Sequence, residues 1–291
     1  MKNFDQVTFG QVGLQFSRDG SSSPGIKEFQ QMVLLHYDLY GRNLEWRNTT
    51  DPYHILVSEI MLQQTQVERV SKKFPEFICA FPDFSSLATA TLADVLAVWQ
   101  GLGYNRRAIA LQKCAILVMN EYYGMLPVDV DTLATFPGIG RATASSIAAF
   151  TFNRPVVFIE TNIRRVFIHF FFNETGNVSD ADILPLVEKA LFYENPRVWY
   201  WALMDLGSAL KKTVPNPNRR SKHYTKQAPF EGSDRKIRGM LLKILLKNQF
   251  LEEEEILRCV DEDPIRVRRI LATLESEGFI EPRENGFVLG K

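Results

Sequence analysis

Between Ile26 and Leu210 apolar residues recur at helical spacing, in runs of roughly ten to sixteen residues broken by Pro, Gly, Asn and Asp. The segment Tyr53 to Val70 carries Ile55, Ile60, Met61 and Val67 in such a distribution. Asp51-Pro52 ahead of it supplies a capping side chain followed by a first-turn proline. Further helices are expected at Phe84 to Trp99, Arg106 to Tyr122, Asp131 to Phe136, Arg141 to Phe152, Thr161 to Phe172, Asp180 to Tyr193 and Arg197 to Leu210. Alternating strand patterns with hairpin turns are nearly absent, so the first two-thirds of the chain should be an all-helical unit.

The pattern lapses at both ends of this unit. Residues 1–24 are polar, end in a Gly/Ser/Pro cluster and read as a flexible lead-in. Thr213 to Phe230 has no apolar period and reads as a linker. Three helical patterns follow, Asp234 to Leu246, Leu251 to Val260 and Asp263 to Glu277, then two short apolar strands around Asn285-Gly286. Three helices and a terminal hairpin predict a small winged-helix-like domain over 234–291. Such modules bind DNA about as readily as protein, and the acidic run Glu252 to Glu255 would repel a DNA surface.

Charge sharpens this division. The chain of 291 residues has 34 basic and 34 acidic side chains, but the balance is an average. Residues 211–247 hold 11 basic and 2 acidic groups, net +9, between acidic flanks. A strip of this kind suits local phosphate binding, and equally a solvated linker. No apolar run approaches the roughly 18 residues of a membrane span, and the charged N-terminal stretch lacks the apolar core of a signal peptide. A cytoplasmic protein without a membrane partner is expected. Cys79, Cys114 and Cys259 form no CxxC pair, which excludes a disulfide framework and a four-thiolate metal site and leaves three buried thiols as the expectation.

Two features could carry chemistry. Leu133 to Ala144 reads LATFPGIGRATA, two helices joined by Pro137-Gly138-Ile139-Gly140, a helix-hairpin-helix over about 131–150. Its glycines leave backbone amides at a helix start open to a DNA phosphate, gripped without reading sequence. Glu59 and Glu160 each adjoin an apolar run, where partial desolvation favours the neutral acid; taken singly, each also has a structural explanation, a cap on the helix starting near Thr161 for Glu160 and an ion pair with a surface arginine for Glu59. Beside a DNA-gripping hairpin, such a pair suits cleavage of an N-glycosidic bond: one acid protonates the departing base and one carboxylate steadies the oxocarbenium-like sugar.

The succession Leu44-Glu-Trp46, Asp51-Pro-Tyr53, SEIMLQQTQV from Ser58 to Val67, Trp99 to Tyr104, Phe136 to Gly140, Ile159 to Asn162 and Met204 to Gly207 resembles the HhH-GPD superfamily of DNA glycosylases, specifically the MutY adenine glycosylases. The resemblance covers residues 27–210 and implies an all-α, two-lobed glycosylase domain over 25–210. It implies Glu59 as the acid that protonates a flipped adenine and Glu160 at the place of the family's catalytic aspartate. Gln63, Gln64, Thr65 and Asn162 become DNA or base contacts, Tyr104 a wedge beside the opposite base, and Gly138, Gly140 and Arg141 the phosphate grip. Ala142 stands where bifunctional relatives carry a Schiff-base lysine, so base removal without lyase cleavage is expected. The stretch matching the family's cluster-bearing loop begins at Lys211-Lys212 and holds no cysteine, so no cofactor and no [4Fe-4S] cluster is expected. Lys211, Lys212, Arg219 and Arg220, within a basic linker over 211–233, would meet phosphate in its stead. The implied partner is double-stranded DNA with a mispaired or oxidised base, most simply adenine opposite 8-oxoguanine or guanine, bound by a monomer. The alternatives are a glycosylase for another lesion and a non-catalytic DNA-binding protein on the same scaffold.

Overall fold

A computed structural model describes residues 23–172, 176–225, 230–248 and 250–290. The greater part of the lead-in, residues 1–22, lies outside the described residues, as does 226–229 of the basic segment. In chain order the helices are α1 (Ser23–Tyr40), α2 (Pro52–Leu62), α3 (Val67–Ala80), α4 (Phe84–Thr89), α5 (Leu92–Trp99), α6 (Arg106–Glu121) and α7 (Val130–Leu133). There follow α8 (Arg141–Phe152), α9 (Thr161–Phe171), α10 (Asp180–Lys189), α11 (Pro196–Thr213) and α12 (Asp234–Asn248). The C-terminal part adds β1 (Phe250–Glu252), α13 (Glu253–Cys259), α14 (Pro264–Ser276), β2 (Ile280–Arg283) and β3 (Gly286–Leu289). No helix among the described residues is long and apolar enough to cross a membrane.

The chain divides into two compact units. The first holds residues 23–55, 128–134 and 139–225. Its core gathers aromatic rings from three helices: Phe29 of α1 meets Phe167 and Phe171 of α9 and Trp199 of α11 edge-on, at centroid distances of 5.4, 5.1 and 6.0 Å. Beside this core Asp205 on α11 accepts from the Arg42 amide and from the guanidiniums of Arg42 and Arg47. Burial opposes ionisation there, yet the Arg47 and Arg42 bonds hold the carboxyl below its ordinary pKa. The second unit holds 56–127, 135–138 and 230–290. Its core runs from Phe74, Phe77 and Trp99 to Leu241, Leu245, Leu271 and Phe279, so the C-terminal helices share a unit with α3 to α6.

Most boundaries follow local chemistry. Asp51 Oδ1 accepts the Tyr53 amide at 2.8 Å and starts α2. Asn195 caps α11, which has Pro196 in its first turn. Three expectations are corrected. The helix expected from Tyr53 to Val70 breaks at 63–66, where Gln64 adopts φ +54°. The helix expected from Phe84 to Trp99 is two, because Thr91 caps a second start by accepting the Asp94 amide. The terminal hairpin turns at Glu284-Asn285, and Gly286 lies within β3, where a Cβ would stand 2.2 Å from the Leu251 carbonyl oxygen. Its role is close approach of β1, a strand absent from the sequence reading, which joins a sheet ordered β1-β3-β2.

Candidate functional site

The residues singled out by sequence fall into two groups, one in each unit. In the second unit, α2 carries Glu59, half-buried between buried Ser58 and Ile60. The helix then ends in a turn that leaves Gln64 exposed at positive φ, a conformation uncommon for a side chain of this kind. Gln63 is held differently: its Nε2 donates to the Gly138 carbonyl at 3.1 Å. The hairpin tip Thr135–Gly138 and the loop after α2 thereby form one assembly. Gly138 has φ +74°, and a Cβ there would lie 2.7 Å from Ala110 Cβ. Both facts require glycine at this position.

Arg107 is the organiser of this group and was not singled out by sequence. Its guanidinium is buried in the first turn of α6. Nη1 donates toward the carbonyls of Ile60 (2.9 Å), Met61 (2.8 Å) and Gln63 (2.6 Å), the last turn of α2 and its exit. Nη2 donates to Thr65 Oγ1 (2.9 Å) and the Gly103 carbonyl (3.0 Å). Arg107 therefore satisfies the orphan carbonyls at the end of the Glu59 helix and fastens them to the loop that presents Tyr104. Burial brings its pKa down to about 10, so the side chain stays cationic at neutral pH. Its charge also stands 5.4 Å from the Trp99 ring centroid and 5.5 Å from that of Tyr104. The signal that could have found it is the pair Arg106-Arg107 at a helix start, because an α-helix turns neighbours about 100° apart, so one of the two can face inward while the other faces solvent.

In the first unit, Glu160 is the N-cap of α9. Oε1 accepts the amides of Asn162 (2.7 Å) and Ile163 (2.9 Å), and Oε2 accepts Asn162 Nδ2 (3.3 Å). The extra methylene relative to aspartate is folded back onto the helix start, where the amides and the helix dipole favour an anion. Some of the residue's surface remains open, but the carboxyl end is packed in protein. Desolvation accordingly pushes its pKa above the usual 4.5, against the Ile163 and Asn162 amides and the charges of Arg165 and Arg164. Arg165, also absent from the sequence reading, is buried and donates to Asn162 Oδ1 and the Gly207 carbonyl, both at 2.7 Å. Gly207 closes this contact, since a Cβ there would meet the Asn162 carbonyl oxygen at 2.5 Å. The terminal glycine of the Met204 to Gly207 motif thus serves α9.

The remaining candidates separate into free and committed groups. Gly140 caps α8 with open space around its Cα. Arg141, next to it, forms an exposed ion pair with Asp131 at 2.7 Å. Lys211 and Lys212 are exposed in the last turn of α11, and Arg219 is exposed beyond it. Arg220, expected at phosphate, donates to the Phe172 and Ile168 carbonyls and caps the end of α9. The segment around it is built into the first unit through buried Asn218, which donates to the Thr161 carbonyl, and a Val178–Ser221 bridge. The thiols also differ from expectation, because only Cys114 is buried, its pKa pushed up to about 12, while Cys79 and Cys259 are exposed. Three cysteines on α3, α6 and α13 do not match the four-thiolate set of a [4Fe-4S] cluster. Among the described residues no three His, Cys, Asp or Glu side chains gather as metal ligands.

Residues 57–183 match the HhH-GPD superfamily of base excision DNA repair proteins. The chain is 34% identical over 247 residues to the adenine DNA glycosylase of Mycobacterium tuberculosis, with 75% of this chain and 78% of that one covered. It is 33% identical over 285 residues to the adenine DNA glycosylase of Mycolicibacterium smegmatis, covering 87% and 93%. Among solved structures a thermostable thymine-DNA glycosylase shares the fold, with a TM-score of 0.56 at 24% identity over 63% of this chain and 86% of that one. The chain belongs to the HhH-GPD superfamily of base excision DNA repair proteins, in its MutY-like branch.

Proposed function

We propose that this glycosylase acts as a monofunctional enzyme on adenine mispaired with 8-oxoguanine or guanine. What supports the reading is the setting of each acid in its own unit, Glu59 in a helix pinned by Arg107 and Glu160 fixed at a helix start by amide donors. Glu59, in its protonated form, donates to the extruded adenine as the bond from the base to C1′ breaks, and the electron pair leaves with the base. Glu160, ionised and aimed by α9, stabilises the positive charge on the sugar, and water adds at C1′ with loss of a proton. The amide donors and the charges of Arg165 and Arg164 favour the ionised form of Glu160 against the desolvation that raises its pKa, which supports the second role for it.

Ala142 beside the hairpin arginine supports release of the base without a covalent amine intermediate. The cysteine placement supports a chain that works without an iron–sulfur cluster. The exposed cations Lys211, Lys212 and Arg219 support a phosphate strip in that region, reached without metal. Gln64 and Tyr104, both non-glycine residues at positive φ, support loops shaped to press side chains into a base stack. The test is incubation of the full chain with labelled A·8-oxoG, A·G, T·G and U·G duplexes, followed by gels with and without hot alkali. Strand breaks on the adenine duplexes only after alkali are the expected result. Breaks without alkali would contradict monofunctional action, and binding with no alkali-labile site on any duplex would contradict catalysis.

A further inference from the structure

A cleft of about 830 Å³ lies within the second unit, walled by Gln63, Gln64 and Tyr104 on one side and by Arg235, Gly239 and Lys243 of α12 on the other. The α12 wall belongs to the C-terminal part of the chain, outside the helical motifs that carry the family likeness. Arg235 Nη1 donates to Tyr104 Oη at 2.7 Å, and its guanidinium stands 5.7 Å from the Tyr104 ring centroid. The ring is thus flanked by two guanidiniums, Arg107 and Arg235, while its backbone sits at φ +49°. A tyrosine at this φ persists only where its surroundings over-determine it, and the hydroxyl contact is such a restraint.

Two further observations show which face of the C-terminal part is available to an anion. On α14, Arg266 and Arg269 pair with Asp234, and Arg268 pairs with Glu253, so the arginines of the would-be recognition helix are already engaged. Around the cleft the balance is reversed: among the described residues Asp234 is its one acidic lining residue and is committed to those pairs, whereas Lys243 and Arg69 are exposed. Glu277 at the end of α14 bridges Arg106 and Arg238, which ties α12 to the start of α6, two residues from Tyr104.

We propose that α12 is part of the DNA-handling surface and that Arg235 is a positioning residue that sets the Tyr104 ring through its hydroxyl. The proposal rests on Tyr104 acting as the wedge at the base stack. The C-terminal part then works as a brace for base extrusion and not as an independent winged-helix DNA binder.

The test uses the full chain and its Arg235→Ala, Arg235→Lys, Tyr104→Phe, Tyr104→Ala and double Arg235→Ala/Tyr104→Phe variants. Single-turnover excision at saturating protein is read together with the fluorescence of 2-aminopurine placed beside the target base. Loss of a charge-assisted hydrogen bond predicts a fall in rate on the order of tenfold in Arg235→Ala, with weaker 2-aminopurine unstacking. Tyr104→Phe should match it, the double variant should be no worse than either, and lysine should restore part of the loss. Additive effects, or a uniform loss of duplex affinity with the rate unchanged, would overturn the proposal in favour of a plain phosphate contact. Faster excision in Arg235→Ala would overturn it by showing a restraining contact. If Tyr104→Ala excises normally, the wedge reading fails first and takes the proposal with it.

Discussion

Two buried arginines each support one of the two acids singled out by sequence, one in each unit, and they do so by different means. Arg107 donates to backbone carbonyls and one hydroxyl; Arg165 donates to Asn162 Oδ1 and to the Gly207 carbonyl, and its charge acts on Glu160. Burial lowers the pKa of both, to about 10 for Arg107, with Glu160 opposing the shift at Arg165. The first therefore sets where the Glu59 helix ends, and the second sets the electrostatics at a helix start. Removing Arg107 should damage shape, and removing Arg165 should change how Glu160 titrates.

The largest effect is expected for Arg107→Met. It strands several buried carbonyls at once, and a loss of roughly 3–5 kcal/mol is expected. Chemical denaturation should show it as a lower midpoint, with excision lost in proportion to the unfolded fraction; a stability within about 1 kcal/mol of the parent chain would contradict the clamp.

Next in size are substitutions at the other acid. Glu160→Gln keeps the shape and removes the anion, and single-turnover excision should fall by about a hundredfold or more. Glu160→Asp keeps the anion at a position where aspartate caps well, so its rate should stay within about a hundredfold of the parent and above the glutamine variant. Equal rates for the two variants would show that charge at this position is not used.

The pH dependence separates the two arginines. Desolvation raises the Glu160 pKa above 4.5, so its proton is retained to higher pH than in an ordinary carboxylic acid. The ionised form is lost as pH falls through that raised value, which places the acid limb of the rate profile above the usual carboxylate range. Arg165 pulls this pKa down, so Arg165→Met should move the limb to still higher pH. An unmoved limb in that variant, with the fold intact, would detach Arg165 from the acid.

The smallest effect expected is at the hairpin. Gly138→Ala places a Cβ 2.7 Å from Ala110 at φ +74°, and a loss of about 1–3 kcal/mol should appear as a lowered melting temperature. Gly140→Ala, with open space around it, should cost less. A reversed order would place the strain elsewhere.

The contrast also explains what the sequence made legible. Caps such as Asp51 and hairpin glycines such as Gly138 act through the residues next to them, so helix starts and the hairpin could be read directly. Glu59 and Glu160 were singled out through apolar flanks and resemblance. Arg107 and Arg165 were not, because an arginine in a helix ordinarily reads as a solvated face and only packing from distant segments buries it. The break at 63–66 was missed for the same reason, since the carbonyls it frees are satisfied by Arg107, more than forty positions away. Strand β1 has three residues and exists by pairing with β3, a partner no local pattern reveals.

The central claim, that Glu59 is the proton donor for base release, is tested most directly by single-turnover excision of adenine from an A·8-oxoG duplex with the parent chain and Glu59→Gln. The account predicts a rate at least about a hundredfold lower in the variant, with duplex affinity and melting temperature retained. A Glu59→Gln rate equal to that of the parent chain would contradict it.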